Sequence, residues 1–246
     1  MSAMAGQLRA EFVLVLRDKG VVTFALFFPV LTIAFFGYLN RGGSVGDVSY
    51  ASFLIAGGVG MVVSSAAFEN LGVALARQRD DGILKRLGGT PLRAGTLVGA
   101  KALTAAAIIL VQALVMIAMN VILFGARITG SPGWGLASLV LGTLAFAALG
   151  LALAGLSRNT DVASAAARAL SLPMQFLCGT LFPLDSMPPV LRQIGEVLPL
   201  TYFVNAFRGA ILLGQGPADQ PGDWLILIGC LMAGLLVAVK TFRWEE

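Results

Sequence analysis

Long apolar runs alternate with short polar breaks along this chain. Six of them approach or exceed the ~20 apolar residues that carry a helix across a hydrocarbon core. They cover 21–38, 51–75, 97–124, 134–156, 162–181 and 224–239. Pro29 in the first and Pro173 in the fifth predict bends, because proline removes a helical donor. The second run holds Gly57, Gly58 and Gly60, small residues that let another helix come close. Ahead of the first run, Leu8, Phe12, Val15 and Leu16 recur at helical spacing while Arg9 and Lys19 project elsewhere. Residues 4–19 are therefore expected to form an amphipathic helix lying in the membrane interface. Charged positions interrupt the first twenty residues, and no small-residue cleavage pattern follows the apolar run, so a secretory signal is not expected.

Two breaks differ from the rest. Residues 76–91 form the longest charge-dense stretch, RQRDDGILKRLGGTP from Arg77 on, with Arg77, Arg79, Lys85 and Arg86 around Asp80 and Asp81. Gly88, Gly89 and Pro91 end whatever helix forms there. The second is 182–213, apolar yet cut by Pro183, Pro188, Pro189 and Pro199 into pieces too short to span. Such a segment reads as a re-entrant or interface-lying helical hairpin, since irregular backbone at membrane depth must be covered by protein or line a cavity. The fold class expected is therefore an all-α membrane protein. It has six spans, a leading interface helix, a helical loop between spans two and three, and a re-entrant hairpin between spans five and six.

Composition agrees. Of 246 residues, 57% are hydrophobic and 12% charged, against about 25% charged in a soluble domain. The net charge of +4 is spread over short loops, which does not suit a nucleic-acid partner. Arg and Lys fix the orientation. Thirteen of the seventeen fall on the side of the termini, and the opposite loops hold only Arg41, Arg127, Arg192 and Arg208. The positive-inside rule then places both termini in the cytoplasm, the 76–91 loop inside and 182–213 outside. The locality expected is the plasma (inner) membrane, with several passes.

Catalytic chemistry is sparse. The chain has no His, which removes the usual general base. No Gly-Lys pair occurs, so there is no P-loop for ATP. Cys178 and Cys230 sit inside apolar runs and read as small hydrophobes. Two residues raise questions. Glu69 is an acid inside the second run. It either serves a function, since a carboxylate in lipid is costly, or marks the end of the span. Arg168 either snorkels to the side of Arg158 or pairs with Glu69 inside the bundle.

Two motifs carry a resemblance. RQRDDGILKRLGGTPL (Arg77–Leu92) resembles the cytoplasmic loop of type 2 ABC exporter permeases. LFPLDSMPPVLRQIGEVLPLTYFVNAFRG (Leu181–Gly209) is similar to the same family's external segment, with Leu198 where Asn is frequent. Within that family the chain looks most similar to the daunorubicin-resistance and polysaccharide-export branches. The resemblance implies a membrane subunit, not an enzyme by itself. It also implies a separate P-loop ATPase that binds ATP and Mg, with two permeases paired to two ATPases. Arg77, Arg79, Asp80, Gly82, Ile83, Leu84, Lys85, Arg86 and Leu87 would couple to that ATPase, although the basic residues could serve only to hold topology. The leading helix would lie against the same ATPase. Phe182, Pro183, Met187, Pro199, Thr201 and Tyr202 would belong to the external cap. Phe53, Met61, Phe68, Glu69, Met174, Phe176 and Leu177 would line the path, or else pack in the core or face lipid. An apolar path implies a hydrophobic or amphiphilic substrate: a drug, a lipid or a lipid-linked glycan. An ion-coupled transporter or channel without an ATPase is the alternative, with Glu69 and Arg168 its only candidate charges.

Overall fold

The structure, a computed structural model, describes residues 19–83 and 94–241, with side chains described for 27–83 and 103–241. Among the described residues eight α-helices follow one another: α1 Lys19–Leu39, α2 Tyr50–Asp80, α3 Ala94–Phe124, α4 Pro132–Leu156, α5 Thr160–Leu177, α6 Pro189–Val197, α7 Pro199–Leu213 and α8 Pro221–Thr241. A two-stranded hairpin, β1 Ser44–Val45 and β2 Val48–Ser49, joins α1 to α2, with Ser44 opposite Ser49.

The axis of the bundle is α2. Ser49 caps its start by accepting from the Ser52 backbone N–H, which satisfies one of the orphan donors of the first turn. Through Val63 the helix is then apolar all round, as expected of a stretch enclosed on every side. Of its most apolar stretch, 89% is buried. Its glycines make that enclosure possible. A Cβ on Gly57 would sit 1.9 Å from the Thr180 carbonyl oxygen, and one on Gly60 would sit 2.7 Å from Val204. Near the other end, a Cβ on Gly72 would meet the Gly150 carbonyl at 2.9 Å. Midway, Ser64–Asn70 winds as a π-helix, which inserts extra backbone into the α-helical ladder.

Around α2 stand α1, α3, α4, α5 and α7, and α8 packs along α4. The outer helices turn apolar side chains outward. Val111 and Ile122 on α3 are 62% and 77% exposed, and Val239 on α8 is 80% exposed. An apolar outer surface of this kind suits lipid or a protein partner rather than water.

Among the described residues four helices are long and apolar enough to cross a membrane, or five if the bent pair α6–α7 counts as one. The two remaining expected spans differ for identifiable reasons. The first lies within α1, whose described apolar part is Phe27–Leu39. The fifth stops at Leu177 instead of residue 181 and includes Asp161, Arg168 and Gln175. Beyond it the chain turns at Gly179, whose φ of +69° favours glycine. The expected interface helix before Lys19 lies outside the described residues.

Candidate functional site

Three features run along α2, from its Asp80 end to its Tyr50 end. At the first, Arg79 and Asp80 reach into the neighbouring turn. Arg79 donates from Nη1 to the Ala154 carbonyl at 3.0 Å and from Nη2 to the Ser157 carbonyl at 2.7 Å. These carbonyls close α4, where a cation complements the helix dipole. Asp80 accepts from the Thr160 backbone N–H at 2.6 Å and from its hydroxyl at 2.7 Å. It thereby caps the start of α5 from outside, alongside the local cap that Asn159 gives to the Val162 N–H. Those Thr160 hydrogen bonds, with Arg79 3.7 Å away, hold the Asp80 carboxyl below the usual carboxylate range. Adjacent residues of α2 thus fasten both helices that meet at 157–160. Arg77 and Asp81 stay exposed, 4.0 Å apart. Gly82 follows at φ +65° and turns the chain out of the helix.

The second feature sits at the π segment. Glu69 meets Arg168 at 3.7 Å and accepts from the Ser171 hydroxyl at 3.0 Å. Arg168 is 73% exposed and Glu69 25%, so the pair lies on the outer flank of the described bundle.

The third feature is the hairpin. Helices α6 and α7 meet at 85°. The Pro199-Leu200-Thr201-Tyr202 stretch makes that bend: the Thr201 hydroxyl donates to the Gly195 carbonyl and the Tyr202 hydroxyl to the Glu196 carbonyl. Both carbonyls lie at the end of α6, where intrahelical donors run out, and Gly195 also accepts from the Leu198 N–H at 3.2 Å. From there α7 runs into the bundle, with Leu200, Phe203, Val204, Phe207 and Ala210 buried. Phe203 stacks with Phe207 and meets Phe146 edge-on, and Gly142 leaves room for its ring. The turn that leads into the hairpin is fastened to α2 as well, by the Tyr50 hydroxyl donating to the Leu181 carbonyl at 2.7 Å.

A protein-family model described as ABC-2 type transporter matches residues 7–212. The chain belongs to this family. Among curated relatives, nodulation protein J of Rhizobium leguminosarum bv. trifolii is 31% identical over 183 residues, covering 72% of this chain and 67% of that protein. The putative transport permease YvfS of Bacillus subtilis is 28% identical and covers 100% of this chain and 99% of its own length. The probable multidrug ABC transporter permease YbhS of Escherichia coli K12 is 27% identical over 78% of this chain and 51% of its own length. This ABC-2 permease is thus a multi-pass membrane subunit of an ABC transporter rather than an enzyme by itself, and its family implies an ABC ATPase as partner.

The residues singled out in the permease's sequence fall into separate places. Of the loop set, Arg77, Arg79, Asp80, Gly82 and Ile83 gather at one end of α2, and Leu84, Lys85, Arg86 and Leu87 lie outside the described residues. Of the path set, Phe53, Met61, Phe68 and Met174 are buried, Glu69 and Leu177 half-buried, and Phe176 exposed. Of the hairpin set, Thr201 is buried and Tyr202, Pro183, Met187 and Pro199 half-buried. Phe182 is exposed on one side and packs edge-on against Phe36 at 5.3 Å. The string Gly42-Gly43-Ser44-Val45-Gly46 fits a G-x-S-x-G spacing. Ser44 lies in β1 rather than at a strand-to-helix elbow, and no His exists to activate it.

Sequence reasoning passed over Arg208, counting it only toward topology. It stands inside α7, its guanidinium 3.9 Å from the centre of the Phe53 ring. The signal was available: a cation between Phe207 and Gly209 in an apolar run is a functional candidate by default.

Proposed function

We propose that this chain is the permease subunit of an ATP-driven exporter that carries a hydrophobic or amphiphilic substrate out of the cytoplasm. Six spans cross the plasma (inner) membrane, with α1 and α5 included, and both termini are cytoplasmic. Two copies pair with two ATPases, which bind ATP and Mg. The loop that begins at Arg77 docks on the ATPase, and the α6–α7 hairpin caps the path on the outside.

The observation that carries this reading is the Arg79–Asp80 clamp. It fastens the loop end of α2 to the ends of α4 and α5, while the other end of α2 holds the 178–181 turn that leads into the hairpin, through Tyr50 and Gly57, and receives α7 at Gly60. A push on the loop therefore reaches three helices together and is carried along α2, roughly 40 Å at 1.5 Å per residue, to the hairpin. ATP binding shifts a transporter only if its two states differ in contacts, and a clamp of this kind supplies contacts that a moving loop can break or keep. The buried aromatic and Met residues around α2 and α7 support an apolar path, as does likeness to a probable multidrug permease.

The test is purification of the chain from its own membrane in mild detergent, with bound chains identified and ATPase activity measured. A P-loop ATPase in about equal amount, lost when Gly82–Leu87 is replaced by a Gly/Ser linker, is the expected result. A chain that emerges alone, without ATPase activity in several detergents, overturns the reading in favour of ion-coupled transport.

A further inference from the structure

An open groove of about 470 Å³ lies between the hairpin and the start of α2. Arg208 lines it. One terminal nitrogen, Nη2, donates to the Gly179 carbonyl at 2.6 Å, and the guanidinium face is covered by Phe53. The remaining donors are not used. Nε is enclosed without a hydrogen-bond partner, and Nη1 makes none among the described residues. No carboxylate among the described residues lies within ion-pair distance of Arg208. A cation held this way in low dielectric attracts a counter-charge strongly.

The groove's other polar groups fit an anion. Asn205, one turn before Arg208, lines the same groove and makes no side-chain hydrogen bond among the described residues. At the rim, Arg192 holds Asp185 at 3.0 Å and Glu196 at 2.7 Å. These rim carboxylates are 84% and 49% exposed, so water screens them. Arg208 is half-buried and so is screened less. The rim is thus solvated and already paired, and the floor carries the unmatched charge. Arginine's planar fork suits an oxyanion.

We propose that this groove is an oxyanion site, which takes the carboxylate or phosphate head of an amphiphile on Arg208 and Asn205. The exporter reading supplies the amphiphile's tail, whereas the anionic head rests on the groove alone.

The test uses the full chain in phosphatidylcholine nanodiscs, without ATP. Radiolabelled dodecyl phosphate is the probe, dodecanol its neutral twin, and empty discs are subtracted. Saturable binding of dodecyl phosphate near one per chain is expected, with none for dodecanol. Arg208→Gln weakens it tenfold or more, and Arg208→Lys weakens it less. Asn205→Leu breaks no hydrogen bond of the described residues and also weakens binding. Wild-type affinity in folded Arg208→Gln overturns the proposal, as does saturable dodecanol binding of equal strength. If Arg208→Gln fails to fold, Asn205→Leu decides, and wild-type affinity there overturns it. Discs containing phosphatidylglycerol separate the sources. Competition assigns the site to a lipid headgroup and its absence to a free amphiphile, and each supports oxyanion recognition. No ATPase is needed, so failure here and failure of the exporter reading are read independently.

Discussion

Removing the Arg79 side chain tests whether the two helices that meet at 157–160 are held by α2. Arg79→Ala deletes two hydrogen bonds from a guanidinium that is only 16% exposed. Bonds of a charged donor contribute about 1.5–3 kcal/mol each. The Ala154 and Ser157 carbonyls sit at a helix end where water can replace part of the loss, so the expected cost is about 2–3 kcal/mol. Arg79→Lys keeps the charge but not the fork, and one bond of the two is expected to survive. Arg77→Ala is the control. Arg77 is 70% exposed and its ion pair with Asp81 spans 4.0 Å, so it is expected to cost at most about 0.5 kcal/mol. Reversible unfolding in mixed micelles at rising SDS fraction ranks the three variants. Hydrogen exchange at the Thr160 amide, which Asp80 holds, supplies a local readout. A loss of about 2–3 kcal/mol accelerates exchange there by roughly 30- to 150-fold if the turn opens as a unit. Arg79→Ala with the stability of Arg77→Ala and unchanged Thr160 exchange refutes the clamp.

Further substitutions probe the other attachments. Asp80→Asn weakens the outside cap on α5 by about 1 kcal/mol. Its folded carboxyl lies below the ordinary value of 3.8, so the stabilisation is full above about pH 5 and is lost as pH falls through the depressed value. The gap between wild type and Asp80→Asn in an acid unfolding series should close in that window. Gly57→Ala forces a Cβ to within 1.9 Å of the Thr180 oxygen. The turn must move, which costs about 2–4 kcal/mol as overpacking and the Tyr50 hydrogen bond add, and SDS unfolding should show it as one of the most damaging alanine substitutions in α2. A double-mutant cycle of Glu69→Gln with Arg168→Gln should give a coupling of at most about 1 kcal/mol, because Arg168 is largely exposed.

Much of the fold was legible because lipid imposes a coarse rule. Apolar runs long enough to span stand out, and α2, α3, α4 and α8 fall where the runs predict helices. The hairpin was legible for a different reason: its prolines break an apolar stretch, and Pro188, Pro189 and Pro199 mark the starts of α6 and α7. The fifth helix was read four residues too long, since apolarity continues through Cys178 and Leu181 while Gly179 turns the backbone. At the sites, residue type was legible and direction was not. Arg79 and Asp80 read as solvent-facing loop charges, yet they bind the 157–160 turn. Sequence spacing gives no hint of partners some eighty positions away. Phe53 and Met61 read as path-lining or as core packing alike, because both are apolar, and their burial depends on glycines that bring α7 and the 178–181 turn against α2.

The π segment at Ser64–Asn70 has a consequence for how the central helix tolerates change. It holds one residue more than an α-helix needs for the same climb, so the halves of α2 on either side are out of phase by about 100° on a common helical wheel. Glycine contacts before it and the Glu69, Arg79 and Asp80 contacts at and beyond it belong to different wheels. Deleting one residue within 64–70 removes the surplus and leaves the faces of both flanking halves where they are. The same deletion elsewhere in α2 turns one half by about 100° and parts either the glycines from their neighbours or the clamp from its carbonyls. Chain length is thus strictly fixed over most of this helix and negotiable in the one stretch where it is wound loosely.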